Sequence, residues 1–356
     1  MSFAGMFNFA WRGFRGDAIE KVKADEWRLV WLDELRGVAA LAVLLGHYRV
    51  LLIGAWNIPV MDFFARGVQL FYILSGYILY RLYSNKMEQP KGKRKFFVKR
   101  FFRIAPLYYL ITLIAFLIFF SSIEDPWNNL VAHLLILVSG FDPAWINGII
   151  GVEWSIFVEF SFYLLFPLLL PWFRRNMLFS LLITLLFSFG QTLVVYLMCT
   201  DVETRTYFYN LPSTQLCFFV LGMWIADLHV RMPSIPKGRR LAMLSCGLIL
   251  VIPFAIKAFT LQLYAAFFIL GAFVYGYPHV TRPKIIKKVL GYCGSRSYSI
   301  YLIHMPILTY YRNEGGEDSI FFWGLLLSVV ILLSDITFRT VEQKGIALGQ
   351  YFAKRV

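Results

Sequence analysis

Two residues near the start of the chain, Arg36 and His47, have types and a spacing that could do chemistry. They lie eleven apart in LDELRGVAALAVLLGHYR, Leu32 to Arg49. At 3.6 residues per turn, eleven residues complete about three turns, so guanidinium and imidazole share one helix face about 16 Å apart along the axis. Arginine binds phosphate or carboxylate as a planar fork. A neutral imidazole takes a proton from a hydroxyl or accepts an acyl group. The stripe Asp33, Arg36, Ala40, Leu44, His47 therefore joins an anion-binding end to a basic one, with room for a long ligand between them.

Three other stretches carry ionisable groups inside apolar sequence, where each costs roughly 2.5 to 3.5 kcal/mol on insertion scales and so needs a reason to be there. In KGKRKFFVKRFFRIAPLYYL, Lys91 to Lys95 suit anionic lipid at a membrane surface, whereas Arg100 and Arg103 stand three apart at the mouth of an apolar run, a pair suited to phosphate. In GVEWSIFVEFSFYLLFP, Glu159 has Ser155 and Tyr163 at i−4 and i+4 on its face, and Glu153 reads as a solvated rim residue. In SRSYSIYLIHMPIL, Ser297, Tyr301 and His304 share a face, and His304 either orients another polar group or takes part in catalysis.

The elements that must hold these groups are membrane helices. The chain is 59% hydrophobic and only 16% charged, and apolar runs long enough to span recur along it. Ten are expected, at about 35–53, 63–83, 104–121, 153–172, 177–199, 211–229, 241–258, 261–279, 294–311 and 320–338. Placing both termini in the cytoplasm puts 26 Lys/Arg in the inner segments against 3 in the outer loops, the asymmetry of a positive-inside topology. The net charge of +14 then reflects topology and gives no indication of nucleic acid. Residues 122–152 hold LVAHLLILVSGF, too short to cross, read as an interfacial or re-entrant element on the outer side. The N-terminal MSFAGMFNFAWRGFRG has no signal-peptide order and reads as a helix lying on the inner face. Cys199, Cys217, Cys246 and Cys293 are scattered, which suggests neither a zinc cluster nor a disulfide framework.

Together these stretches resemble the acyltransferase-3 family of integral membrane acyltransferases. Arg36 and His47 match its Arg, ten residues, His signature, with Asp33 at the usual acidic position. Arg100 and Arg103 match its Arg-x-x-Arg loop. Trp154, Ser155, Val158, Glu159, Phe162 and Tyr163 match its Trp-Ser block, and Ser297 to Leu302 with His304 match its Ser-Tyr-Ser block. Phe157 and Phe160 replace a serine and the second glutamate of the family pattern, leaving Glu159 as the carboxylate.

The resemblance implies an all-α domain over 32–340, between an N-terminal segment, 1–31, and a C-terminal tail, 341–356. It implies an O-acetyltransferase of the bacterial inner membrane that uses acetyl-CoA as donor, needs no metal, and acts on a hydroxyl of a saccharide or lipid-linked saccharide. Arg36, Arg100 and Arg103 would hold coenzyme A phosphates. His47, Glu159, Asp33 and His304 form the expected catalytic set. His47 would serve as general base or acyl relay, and Glu159 or Asp33 would set its tautomer. The alternative is a transporter or flippase using buried His and Glu as a proton relay.

Overall fold

The structure is a computed structural model, described over residues 30–52, 64–137, 140–232, 259–316 and 320–356. The expected span at 241–258, the N-terminal surface helix and the side chain of Arg49 lie outside the described residues. Among the described residues there is no strand, as an apolar surrounding requires when each segment must satisfy its own backbone polar groups.

The helices, in chain order, are α1 (Val30–Leu52), α2 (Gly67–Tyr83), α3 (Gly92–Phe119), α4 (Pro126–Leu134), α5 (Glu153–Arg175), α6 (Met177–Met198), α7 (Val202–Tyr209), α8 (Pro212–Arg231), α9 (Phe259–Gly276), α10 (Lys284–Ser295), α11 (Ser297–Asn313), α12 (Ile320–Thr337) and α13 (Gln343–Arg355). A π-helical segment, Phe338–Glu342, joins the last two. Six helical stretches of the described residues are long and apolar enough to cross a membrane: Gly92–Ser122, Glu153–Arg175, Met177–Met198, Val202–Arg231, Leu261–His279 and Phe321–Arg355. The protein is thus an all-helical, multi-pass membrane protein. Exposed Leu178, Phe179, Leu186, Phe187, Leu197 and Met198 give α6 an apolar outer surface, suited to hydrocarbon rather than water.

Close helix crossings bring the polar helices together. A Cβ on Gly76 of α2 would run into the Phe219 carbonyl, and one on Gly222 of α8 into the Ile73 carbonyl, so these two glycines let the backbones touch, as small residues do between membrane helices. Gly37 and Gly294 do the same for α1 and α10, against the carbonyls of Leu290 and Asp33. Helix α1 lies against α2, α10 and α11.

Two elements differ from expectation. The basic run expected as a loop before a span at 104 is already helical from Gly92. Lysine and arginine are good helix formers, and an apolar-run criterion starts the helix too late. The C-terminal segment beyond the last span is also a helix, α13. Its Gly345 and Gly349 lie on Phe102 and Pro106 of α3.

Candidate functional site

Helix α1 is continuous from Val30 to Leu52, so Arg36 and His47 sit on one rod. Each opens into a different cavity. The first, at the Arg36 end, holds about 600 Å³ of unoccupied space, counting the part open to solvent. Arg36, Arg103, Ser75, Glu159, Tyr163 and Tyr298 supply its polar wall. Arg36 pairs with Asp33 at 3.5 Å, while Glu159 accepts from Ser75 Oγ at 2.8 Å and from the Tyr163 hydroxyl. The expected i+4 partnership of Glu159 and Tyr163 is present.

Arg100 goes elsewhere. It is buried, with its guanidinium over the rings of Tyr83 at 5.0 Å, Tyr163 at 5.6 Å and Phe96 at 5.9 Å. Arg103, three residues on, lines the cavity that Arg100 does not. One turn of α3 therefore sends one arginine into an aromatic cage and its neighbour to the open space.

The second cavity, at the His47 end, has about 1530 Å³ of unoccupied space on the same measure. Val68 and Tyr301 line both cavities and so form the wall they share. Beside that wall His47 Nδ1 lies 3.0 Å from His304 Nε2. His304 is fully buried, and its Nδ1 stands 2.7 Å from the Tyr301 carbonyl oxygen and 3.2 Å from that of Ile300. Carbonyl oxygens only accept, so His304 Nδ1 carries the proton. Its Nε2 is then the acceptor, His47 Nδ1–H donates to it, and His47 Nε2 keeps a free lone pair. The arrangement can remove a proton from a hydroxyl.

This corrects the expected source of the tautomer. Asp33 is fourteen residues, about 21 Å of helix rise, from His47 and bonds Arg36. Glu159 belongs to the other cavity. The residue in contact with His47 is His304, 257 positions away in sequence.

Glu153, expected at a solvated rim, is 1% exposed. Its carboxylate accepts backbone N–H bonds from Ile149 at 2.8 Å, from Gly151 at 2.6 Å and from Ile150, and it lies 3.8 Å from His133 Nε2. It pins the loop that brings Asn147 and Gly151 to the His47 cavity. A position at the first turn of a helix concealed this, because such a carboxylate also suits solvent.

Sequence reasoning also missed Glu342, which is buried, accepts from Ser299 Oγ at 2.9 Å, and lies within electrostatic reach of Arg103 and Arg36. The available signal was GIALG, a Gly-x-x-x-Gly helix-contact spacing just after it.

Residues 29–339 match the model of the acyltransferase-3 family, described as an acyltransferase domain. The chain belongs to that family. Among similar proteins, the acyltransferase MdmB of Streptomyces mycarofaciens is 26% identical over 82% of this chain and 82% of its own length. The peptidoglycan O-acetyltransferase OatA of Listeria monocytogenes is 22% identical over 87% of this chain and 54% of its own. The O-acetyltransferase OatA of Staphylococcus aureus is 23% identical over 95% of this chain and 61% of its own. The chain thus spans only about half to three fifths of the length of the two OatA proteins. No solved structure matches. The family match and the MdmB relative bear out the expectation of an acyltransferase enzyme.

Proposed function

We propose that this protein moves an acetyl group from cytoplasmic acetyl-CoA to a hydroxyl of a saccharide or lipid-linked saccharide on the opposite side of the bacterial inner membrane. The observation that carries the reading is the His47–His304 pair at a wall between two cavities, one lined by Arg36, Arg103 and Glu159 and the other open beside the imidazole. The name of the Listeria relative, a peptidoglycan O-acetyltransferase, favours a saccharide acceptor.

Arg36 and Arg103 suit the anionic donor, because charge-assisted bonds from guanidinium to phosphate are strong and directional. The acids near them are engaged: Asp33 by Arg36, Glu159 by Ser75 and Tyr163, and Glu342 by Ser299. Arg100 acts through the aromatic cage that shapes the mouth of α3. The acyl end of the donor passes between Val68 and Tyr301 to lie beside His47. There His47 Nε2 takes the proton of the acceptor hydroxyl. The oxygen attacks the thioester carbonyl, the C–S bond breaks, and the imidazolium returns the proton to the departing sulfur. His304 fixes the tautomer through its bond to His47 Nδ1, the role a carboxylate plays for many catalytic histidines. Basic residues at the start of α3 contact anionic lipid.

The test is sidedness. In sealed proteoliposomes of known orientation, acetyl-CoA supplied only on the face carrying Lys91 to Lys95 should acetylate a saccharide enclosed on the other face, and His47→Ala should abolish the reaction. Product that forms only when both substrates share one face would overturn transfer across the membrane.

A further inference from the structure

Val68 and Tyr301 line both cavities. Valine has no polar side-chain group, so among the described residues the Tyr301 hydroxyl is the one side-chain donor that belongs to both spaces. Tyr301 is buried. Its ring stands edge-on to that of Phe71 at 6.1 Å and lies 5.7 Å from that of His304. Its backbone carbonyl accepts from His304 Nδ1 at 2.7 Å. One residue thus aims the histidine that orients His47 and also flanks the passage that the acyl group must take.

The hydroxyl itself is lightly held. It donates to the Val152 carbonyl at 3.4 Å, longer than the roughly 2.7 to 2.8 Å usual between hydroxyl and oxygen. That carbonyl also accepts from Ser155 Oγ at 3.0 Å and from the Ser155 backbone N–H at 3.3 Å. A carbonyl oxygen has two lone pairs, so Val152 stays satisfied when the tyrosine, its third and most distant donor, turns to another acceptor. Val152 follows Gly151, which lines the His47 cavity, and stands three residues before Ser155, which lines the other. The hydroxyl is therefore a spare donor at the boundary between the two spaces, where a thioester carbonyl must come to meet His47.

We infer that the Tyr301 hydroxyl stabilises the oxyanion that forms during acyl transfer. As the acceptor oxygen bonds to the thioester carbon, the carbonyl π pair moves onto its own oxygen. Tyr301 Oη–H leaves Val152 and donates to that oxygen, keeping its proton. When the pair returns to the carbonyl, the C–S bond breaks and the sulfur takes the proton held by His47. A fixed donor aimed at developing charge in a water-poor site lowers the barrier more than it tightens ground-state binding. Neither histidine is free for this task. His47 Nε2 receives the acceptor proton and its Nδ1 is bonded to His304, whose own nitrogens are both engaged. The inference rests on the acyl-transfer reading above and adds the group that meets the developing negative charge.

The experiment uses the purified full-length protein in nanodiscs and follows release of the coenzyme A thiol from acetyl-CoA, with chitotetraose or water as acceptor. Tyr301→Phe keeps the ring and removes only the hydroxyl. It should lower kcat by about 10²- to 10³-fold, the cost of losing one oxyanion donor, with the KM for acetyl-CoA and the melting temperature unchanged. If Tyr301→Phe does not fold, the comparison moves to 4-aminophenylalanine and 4-methylphenylalanine placed at Tyr301. These two match tyrosine in shape, and the first alone retains a donor, so it should be the faster. A role confined to the wall would leave Tyr301→Phe fully active and the two analogues equal, and either result overturns the inference. A rise in the KM for acetyl-CoA at unchanged kcat also overturns it, because the hydroxyl would then serve binding alone. Wild-type protein that releases no thiol with either acceptor overturns the acyl-transfer reading and this inference with it.

Discussion

At the scale of single residues, the decisive contact is between two imidazoles. His304 carries its proton toward two backbone carbonyls that belong to its own helix, so its orientation depends on α11 and not on any mobile side chain. His47 inherits a defined tautomer from it. Replacing His304 with phenylalanine keeps the ring volume and removes the acceptor, and should lower kcat by about 10-fold or more, up to the roughly 10⁴-fold seen when a general-base histidine is left in the wrong tautomer. The KM for acetyl-CoA should hold. His304→Gln, which can offer an amide oxygen, should retain more activity than phenylalanine at matched thermal stability. Equal activity of the two variants would show that the contact only fills space. Sequence alone showed that His47 and His304 were both unusual, since each stands in an apolar span where an ionisable group is costly. It could not show that they touch, because no local periodicity links positions 257 apart.

At the scale of elements, residues 140 to 152 before α5 show how an irregular segment can be held in place. One carboxylate, Glu153, gathers three consecutive N–H groups, and His133 beside it is bonded to the Tyr108 hydroxyl of α3 at 3.1 Å. Charge-assisted bonds contribute about 1.5 to 3 kcal/mol each, and donors stranded in a buried site cost more. Glu153→Ala should therefore destabilise the protein by about 3 kcal/mol or more. Glu153→Gln, keeping one acceptor oxygen, should cost about half as much. Hydrogen exchange at the amides of 149 to 151 checks this directly, and unchanged protection in Glu153→Ala would remove the carboxylate from the account. Of the ten expected spans, six correspond to helices of the described residues long and apolar enough to cross a membrane, among them α5 and α6, which read as long apolar runs. Hydropathy did less well where polarity has a packing role. The charged first turns of α3 are helical, and the region read as a tail contains a helix seated by two glycines on α3.

At the scale of the whole molecule, the feature with the widest reach is the wall of Val68 and Tyr301 between the two cavities. On the proposed mechanism, the acetyl thioester comes from one side of that wall and the acceptor hydroxyl from the other, and the two meet beside His47. If the same imidazole holds the proton until the sulfur takes it, each cycle sends a formal acylium one way and a proton the other. The exchange carries no net charge through the bilayer. A cycle that instead released the proton to water on the acceptor side would move one elementary charge, which at 100 mV is worth about 2.3 kcal/mol, or up to about 50-fold in rate. Turnover in proteoliposomes clamped with potassium and valinomycin should therefore be the same at either sign of the potential, and a marked voltage dependence would exclude the shared proton. Acylation beyond the membrane would then draw on the thioester alone and place no electrical load on the energised membrane it works across.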